Sequence, residues 1–97
     1  MFVAIVCCEL HLPYSGSLKH KRRVVRSLVE RLHQRYRISV AETGSHDLLQ
    51  RAELGLAAVA GDERELRRLM DELRRLIDDE EEAVLLGWEP EFLEGNA

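Results

Sequence analysis

Two periods of apolar residues alternate along this chain, and this alternation restricts its possible folds more than any other feature. Every even position of Phe2–Leu12 is apolar, which is the period of a strand that buries one face. From Leu18 to Tyr36 the apolar residues instead recur every three or four positions, as in an α-helix, and Ser17 is a favourable N-cap. The chain therefore begins with a strand that is followed by a helix.

The same two periods return in the remainder of the chain. Strand periodicity recurs in Arg37–Thr43, Glu53–Ala60 and Ala83–Trp88. A second helix is predicted after its N-cap Asp62 and ends at the acidic run Asp78–Glu82. The predicted order is thus strand, helix, strand, strand, helix, strand.

This order is typical of one arrangement of a small domain. Right-handed crossovers fold it into an α+β, ferredoxin-like βαββαβ domain, in which a four-stranded antiparallel sheet of order 4-1-3-2 carries two helices on one face. A chain of 97 residues has room for one core, so we expect a single domain over residues 1–97. The tail Glu91–Ala97 follows Pro90 and either docks on this domain or frays.

The sheet face opposite the helices is predicted to be apolar. Its residues would come from the two central strands and the fourth strand, and they are Val3, Ile5, Cys7, Ala57, Val59, Ala83 and Leu85. A continuous apolar patch rarely faces water in a monomer. We therefore expect a homodimer or a higher homo-oligomer in which one sheet face packs against another.

The cysteines and the first apolar run argue against several other classes of protein. Cys7 and Cys8 are neighbours on a strand and point to opposite faces, so they suit neither a disulfide nor metal chelation, and both are interpreted as packing residues. The run Phe2–Cys8 lacks a preceding cationic segment and is too short to span a bilayer. We expect a cytoplasmic protein without a membrane partner.

Positive charge is concentrated at the start of the first helix, where it is least favourable for the helix itself. The net charge of −4 conceals nine Lys and Arg residues against four Asp and Glu residues in residues 1–51, and five against fourteen in residues 52–97. A helix N-terminus carries partial positive charge, so nearby cations weaken the isolated helix unless an anion is present. Cations at Lys19, Lys21, Arg22 and Arg23 break this rule. Together with Ser17 and Arg26 they are the candidate anion-binding residues, which we call the basic block.

Two interpretations of this basic block remain open. In the first, its side chains bind the phosphates of RNA or of another anion. In the second, they form a solvated face that pairs with the acidic residues of the second helix or of a neighbouring subunit. The periodicity turns Lys21 towards the buried face, where a Lys needs a partner, while Lys19 and Arg23 face solvent. The central strands lack the aromatic residues on which ferredoxin-like RNA-recognition domains stack bases, so RNA binding would have to use the first helix.

A second candidate site lies in the connection between the second and third strands, Gly44–Ala52. Together with Glu42, its polar residues could form a general acid/base group. Alternatively they brace the turn by hydrogen bonds to the backbone, which we favour because no nucleophile accompanies them. No His or Cys spacing typical of a metal site is present, and we expect neither a metal nor another cofactor. The residues of this possible loop site are Glu42, His46, Asp47, Gln50 and Arg51.

Three segments of the chain together resemble the YlxP-like family of small bacterial proteins of unknown function. They are Ser17–Arg22, Ile38–Glu42 and Asp47–Val59, and the chain departs from the family's usual pattern at Arg37, where Asn is common, and at Leu49, where Trp is common. The resemblance implies a ferredoxin-like fold. It also implies a connection with translation or ribosome maturation, because genes of this family tend to lie beside genes for antitermination, initiation and ribosome-binding factors.

These observations favour a non-enzymatic factor that associates with RNA or the ribosome and contacts phosphates through the basic start of the first helix. The alternative is an oligomeric interaction module that binds an anionic small molecule or a protein partner. An enzymatic role rests only on Glu42, His46 and Asp47 and is the least favoured.

Overall fold

The computed structural model describes residues 1–96 as strands and helices in the predicted order. Its elements are β1 (Phe2–His11), α1 (Leu18–Arg35), β2 (Ser39–Gly44), β3 (Arg51–Ala60), α2 (Glu63–Asp78), β4 (Val84–Trp88) and β5 (Glu91–Glu94). The first six elements confirm the βαββαβ order. The seventh, β5, is a strand that the apolar pattern did not predict.

The strands form one antiparallel sheet of order β2-β3-β1-β4, which confirms the predicted order 4-1-3-2. At its centre β1 and β3 pair without a register shift, from Phe2 opposite Ala60 to His11 opposite Arg51. The even positions of β1 are buried beneath the two helices, and the odd positions point to the opposite face. The fold is therefore the predicted α+β, ferredoxin-like arrangement.

The tail of the chain docks on the sheet as β5. β4 pairs with residues 8–11 of β1, and β5 pairs with residues 2–5 of the same strand. Pro90 lies between them and has no N–H to continue the ladder, so the edge is interrupted there. Phe92 of β5 packs against the core, and the Arg67 guanidinium carbon lies 4.2 Å from the centre of its ring. Of the tail predicted to dock or fray, Ala97 lies outside the described residues.

The core lies between the sheet and the two helices. β1 and β3 contribute alternate residues, and each helix contributes the stripe that its apolar period predicts. Each fully buried Leu stabilises the fold by roughly 2 kcal/mol relative to an exposed one. The buried apolar residues of the helices are Val24, Val25, Leu28 and Leu32 in α1 and Leu66, Met70, Leu73 and Ile77 in α2.

The uncovered sheet face differs from the prediction at the fourth strand. Ala83 is buried and Leu85 packs against the core, so neither residue lies on that face, and Val84 is exposed instead. Strict alternation from the inward-facing Trp88 would give the predicted placement. A bulge in the pairing of β1 with β4 inserts Leu86 as an extra residue and inverts the alternation.

The remainder of the uncovered face carries the predicted residues of β1 and β3. It also carries Leu93 of β5, which lies opposite Val3. Cys8 packs in the core as predicted, whereas Cys7 is exposed on the uncovered face, so the interpretation of both cysteines as packing residues is wrong for Cys7. Within residues 1–96, neither helix is both long and apolar enough to cross a membrane.

Candidate nucleic-acid interface

The start of α1 is held by side chains of the preceding turn. Ser17 is the N-cap, as predicted, and its Oγ accepts a hydrogen bond of 3.1 Å from the backbone N–H of His20. Ser15 is buried, and its hydroxyl donates to the Ser17 carbonyl at 3.3 Å. No acidic residue lies in the first turn of α1, so the positive end of the helix dipole is not compensated within the helix.

Three residues of the basic block form an exposed row on one side of α1. Lys19, Arg22 and Arg26 are spaced by three and four positions, which places them on the same side of the helix. All three side chains are exposed, and none forms an ion pair with a carboxylate in residues 1–96. The row spans roughly 10 Å of the helix axis. We call these three residues the basic row.

An open depression runs beside the basic row. It is lined by the N-cap Ser17 and by residues of α1 as far as Glu30, and it includes His20 and Arg23 as well as the three residues of the row. No second element forms a wall. The depression is therefore an open surface groove without the enclosing walls of a small-molecule pocket.

The other flank of the basic block is paired with the acidic run that follows α2. His20 Nε2 lies 2.9 Å from Glu82 Oε1, and the Arg23 guanidinium lies 3.6 Å from the same oxygen. Further along α1, Arg31 donates a hydrogen bond of 2.6 Å to Glu80. This flank of the block is therefore paired, with acids that follow α2 and do not belong to it, whereas the basic row has no such partner in residues 1–96.

Lys21 lies inside the protein, with only 2% of its surface exposed. Its Nζ donates hydrogen bonds to the backbone carbonyls of Ser45 and His46, the second at 3.3 Å, and lies 3.4 Å from Glu42 Oε2. All three partners belong to β2 and the turn that follows it. Lys21 is therefore not accessible to a ligand at the surface of α1, contrary to its place among the predicted anion-binding residues, and we call its contacts with Glu42, Ser45 and His46 the Lys21 clamp.

The clamp holds a turn of unfavourable backbone conformation. Ser45 has φ 59°, in the left-handed region that non-glycine residues seldom adopt. Its carbonyl accepts a second hydrogen bond, of 3.1 Å, from the N–H of Leu48. The Lys21 ammonium and the Leu48 N–H thus both donate to the Ser45 carbonyl and fix the orientation of this peptide group. The connection itself, residues 45–50, is shorter than the predicted Gly44–Ala52, because β2 and β3 extend further towards it.

The carboxylate of Glu42 lacks a hydrogen bond to one of its two oxygens. Its Oε2 is buried and has no hydrogen-bond partner, although Lys21 Nζ lies at ion-pair distance. The ammonium group directs its hydrogens to the two carbonyls instead. Glu42 therefore contributes charge compensation to the clamp and no directed hydrogen bond.

The other residues of the possible loop site are spread over the turn and the start of β3. The Gln50 carbonyl accepts hydrogen bonds from the Leu12 N–H, at 2.9 Å, and from His11 Nδ1, at 3.1 Å. Arg51 lies in β3, opposite His11. Asp47 is exposed within the turn.

Those contacts join the turn and the start of β3 to the end of β1. In residues 1–96 no hydrogen bond or ion pair joins the side chains of Glu42, His46 and Asp47 to one another. The geometry of a general acid/base group, in which two side chains contact each other, is therefore not formed.

A polar cluster on the uncovered face was missed by sequence reasoning. The Thr43 hydroxyl donates a 2.7 Å hydrogen bond to Glu53, and this bond, followed by one from the Cys7 thiol, lowers the pKa of the Glu53 carboxyl. Cys7 is exposed as a residue, but slight desolvation of its thiol, followed by the hydrogen bond to Glu53, raises the pKa of Cys7. The alternation of the strands already placed Cys7 on this face, but the bulge between Glu42 and Gly44 set the position of Thr43. Over residues 1–96, no group of three or more His, Cys, Asp or Glu side chains is placed to hold a metal ion.

Comparison with known proteins identifies the family of this chain. A family model described as "Protein of unknown function (DUF503)" matches residues 3–89, and the chain belongs to this family. The predicted membership of a YlxP-like family of unknown function is thereby confirmed.

One relative is an uncharacterised protein. The chain is 36% identical over 67 residues to "Uncharacterized protein YlxP" of Bacillus subtilis (strain 168), in an alignment that covers 65% of this chain and 73% of the relative. Neither description states an activity, so the function has to be argued from the surface of the molecule.

Proposed function

We propose that the basic row of α1 binds the phosphate backbone of RNA, and that the protein acts as a non-enzymatic RNA- or ribosome-associated factor. One observation carries this proposal: Lys19, Arg22 and Arg26 lie side by side without a carboxylate partner in residues 1–96, although the chain contains 18 Asp and Glu residues. An exposed row of like charges at the positive end of a helix is unfavourable in the free protein and becomes favourable when an anion binds.

The shape of this surface favours a polyanion over a small anionic metabolite. The groove beside the basic row is open and has α1 as its only wall. A small molecule gains affinity mainly from a concave site that buries most of its surface. An RNA backbone instead presents phosphates in succession, which a row of cations can contact one by one.

The other large surface of the molecule is unsuited to RNA. On the uncovered sheet face Glu9 lies directly opposite Glu53, and the facing positions of β1 and β3 carry no aromatic side chain on which a base could stack. Negative charge on that face repels phosphate. Binding is therefore expected on the helical side alone.

Titration of a fluorescent single-stranded fragment of ribosomal RNA at several salt concentrations tests the proposal. Each phosphate neutralised on a single strand contributes about −0.7 to the slope of log K against log salt, so three contacts give a slope of about −2. A fourfold increase in salt should then weaken binding about 16-fold. A slope near zero would contradict phosphate binding.

A matched pair of triple variants locates the interface. Lys19→Ala/Arg22→Ala/Arg26→Ala removes the basic row, whereas Arg64→Ala/Arg68→Ala/Arg75→Ala removes three exposed cations of α2 and changes the net charge equally. We expect the first variant to lose most of the affinity and of the salt slope, and the second to lose little. Equal losses would show that binding depends on net charge only.

The alternative, an interaction module for an anionic small molecule, gives a different result in a companion experiment. A panel of phosphorylated metabolites is screened for a shift in melting temperature, because a ligand that binds only the folded state raises it. A shift with one metabolite, together with the absence of RNA binding, would replace the proposed function by the alternative.

A further inference from the structure

We propose that Tyr14 is a stacking platform for an unpaired base of the RNA, and that the ligand of the basic row is therefore single-stranded. This inference rests on the proposed function and adds to it a contact with a base, which phosphate contacts do not supply. Three observations carry it: the exposure of Tyr14, the hydrogen bonds that brace its turn, and the position of this turn at one end of the groove.

Tyr14 is the one aromatic side chain that the core does not use. The chain has five aromatic residues, and four of them pack against the core: Phe2, Tyr36, Trp88 and Phe92. Tyr14 is instead 71% exposed, which is the highest value among the exposed large apolar residues of the described chain. Base stacking uses the flat face of an aromatic ring, so it requires a ring that the protein leaves uncovered.

The backbone that carries Tyr14 is anchored on both sides. A β-turn runs from Leu12 to Ser15 and is closed by a hydrogen bond of 3.2 Å from the Ser15 N–H to the Leu12 carbonyl. Its two central residues are Pro13 and Tyr14, and Pro favours the first of these positions. Leu12 and Ser15 are both buried, with 1% and 3% of their surfaces exposed. Tyr14 therefore lies at the exposed corner of a turn whose two ends are fixed in the protein.

The β2–β3 connection braces the same turn from the side. The Leu12 N–H donates a hydrogen bond of 2.9 Å to the Gln50 carbonyl, and the Gln50 side-chain amide donates one of 3.5 Å to the Pro13 carbonyl. The connection is itself fixed to α1 by the Lys21 clamp. A side chain on an ordered backbone has less conformational freedom to lose when it binds a ligand. Stacking on Tyr14 therefore has a low entropic cost.

Tyr14 lies at the end of the groove where the basic row begins. The groove is lined from the N-cap Ser17 onwards, and Lys19 is the first cation of the row. Tyr14 precedes Ser17 by three residues, so their Cα atoms are at most about 11 Å apart. Proteins that bind single strands combine a basic groove, which follows the backbone, with aromatic rings on which bases stack. One short segment of this chain provides both parts.

A base-paired RNA offers its phosphates to the basic row but no free base to Tyr14. In a duplex the faces of the bases are covered by their neighbours, and proteins recognise its shape, phosphates and 2′-hydroxyl groups. An unpaired strand exposes the faces of its bases. Stacking of one base on an aromatic side chain strengthens binding by roughly 5-fold to 140-fold. The contribution of Tyr14 is therefore expected for single strands alone.

Titration of a short oligouridylate with Tyr14→Ala tests the inference. The variant should bind at least about fivefold more weakly than the unmodified protein, with the salt slope unchanged at about −2, because no charge is removed. It should bind an abasic oligomer of the same length, and the same oligouridylate paired with oligoadenylate, as tightly as the unmodified protein does. Tyr14→Phe keeps the ring and should restore the affinity. The matched control Val59→Ala shortens a 64% exposed side chain of the uncovered sheet face and should change nothing.

The ring protons of Tyr14 give a readout that a purely structural role would not move. A stacked base should shift their NMR signals upfield, whereas those of Tyr36, which packs against the core, should stay in place. Because Tyr14 is exposed, Tyr14→Ala should keep the urea midpoint of the unmodified protein.

The outcomes separate this inference from the proposed function. If oligouridylate binds through the basic row with a slope of about −2 but Tyr14→Ala binds it equally well, the stacking role is wrong and the proposed function stands. If Tyr14→Ala weakens the abasic oligomer and the duplex as much as the single strand, Tyr14 acts on the fold and the inference is again overturned. Absence of any salt-dependent binding would overturn both.

Discussion

Replacement of Lys21 by Met removes an ammonium group that the structure holds inside the domain. Met keeps an unbranched apolar stem of similar length, so the packing of this position against the core is largely preserved. The change deletes both hydrogen bonds to the carbonyls of Ser45 and His46 and leaves Glu42 without its cationic neighbour. It therefore isolates the polar contribution of the Lys21 clamp.

The expected loss of stability follows from the exposure of each partner. A hydrogen bond from a charged donor contributes about 1.5 to 3 kcal/mol. Both hydrogen bonds are only partly buried, so the lower figure applies to each bond. Glu42 is 24% exposed, and its ion pair adds less than a fully buried one. We expect Lys21→Met to lower the free energy of unfolding by about 3 kcal/mol and the melting temperature by roughly 15 °C.

Urea unfolding followed by circular dichroism measures this loss, and Lys19→Met is the matched control. Lys19 lies two residues earlier in α1 and is exposed without an ion-pair partner in residues 1–96, so its replacement should change stability by less than about 0.5 kcal/mol. Adding Glu42→Gln to Lys21→Met should restore about 1 kcal/mol, because it neutralises the carboxylate left behind. If Lys21→Met is no more destabilising than Lys19→Met, the internal role of Lys21 is wrong.

Three further predictions follow from other contacts. Glu82→Gln removes the acidic partner of His20 and Arg23. RNA should then bind more tightly at low salt, and the slope of log K against log salt should become steeper by about 0.7 because of the released Arg. An unchanged slope would contradict this. Burial raises the pKa of Cys8 from 9.0 to about 12. As the pH rises through this range, the Cys8 thiol is deprotonated in the unfolded state before it is deprotonated in the folded state. The free energy of unfolding should therefore fall, by up to about 1.4 kcal/mol per pH unit. The fall should be smaller in Cys8→Ala, and equal falls in urea unfolding would refute the assignment. Phe92→Ala should cost about 2 kcal/mol and accelerate amide hydrogen exchange in residues 2–5 of β1; unaltered exchange would show that β5 does not protect that edge.

The main elements of the fold could be predicted because each has a clean apolar period. β1 alternates without exception over its even positions, and α1 and α2 each carry a full buried stripe. The order of these elements then leaves few topologies, since parallel crossovers are right-handed. Local pattern and global arrangement agree in this part of the chain.

Neither β5 nor the bulge in β4 could be predicted, because both depend on the pairing of strands. β5 has four residues, Glu-Phe-Leu-Glu, and this is too short to show a period. β4 pairs only with residues 8–11 of β1, and the backbone groups of residues 2–5 pair with β5 instead. The bulge is likewise a property of strand pairing, and it changed the predicted positions of Ala83 and Leu85.

The arrangement of the basic block could be predicted only in part, because it also depends on contacts between distant segments. Helical periodicity already turned Lys21 inward, but its partners are backbone carbonyls of a distant turn, and side-chain patterns contain no information about these. Charge counting left open whether the basic residues would pair with acids or bind an anion. Only the packing of the segment after α2 against α1 shows that Glu82 pairs with His20 and Arg23 and leaves the basic row free of acidic partners in residues 1–96.

The most direct test of the central claim is a backbone NMR titration of the labelled protein with a short single-stranded RNA. The account predicts that the shifted amide signals cluster in residues 17–27 of α1, and that those of the uncovered sheet face stay in place. Because α1 is fixed on the sheet by its buried stripe, the shifts should extend little beyond the helix. Shifts centred on residues 3–7 of β1 and 55–59 of β3, with α1 unaffected, would contradict the account.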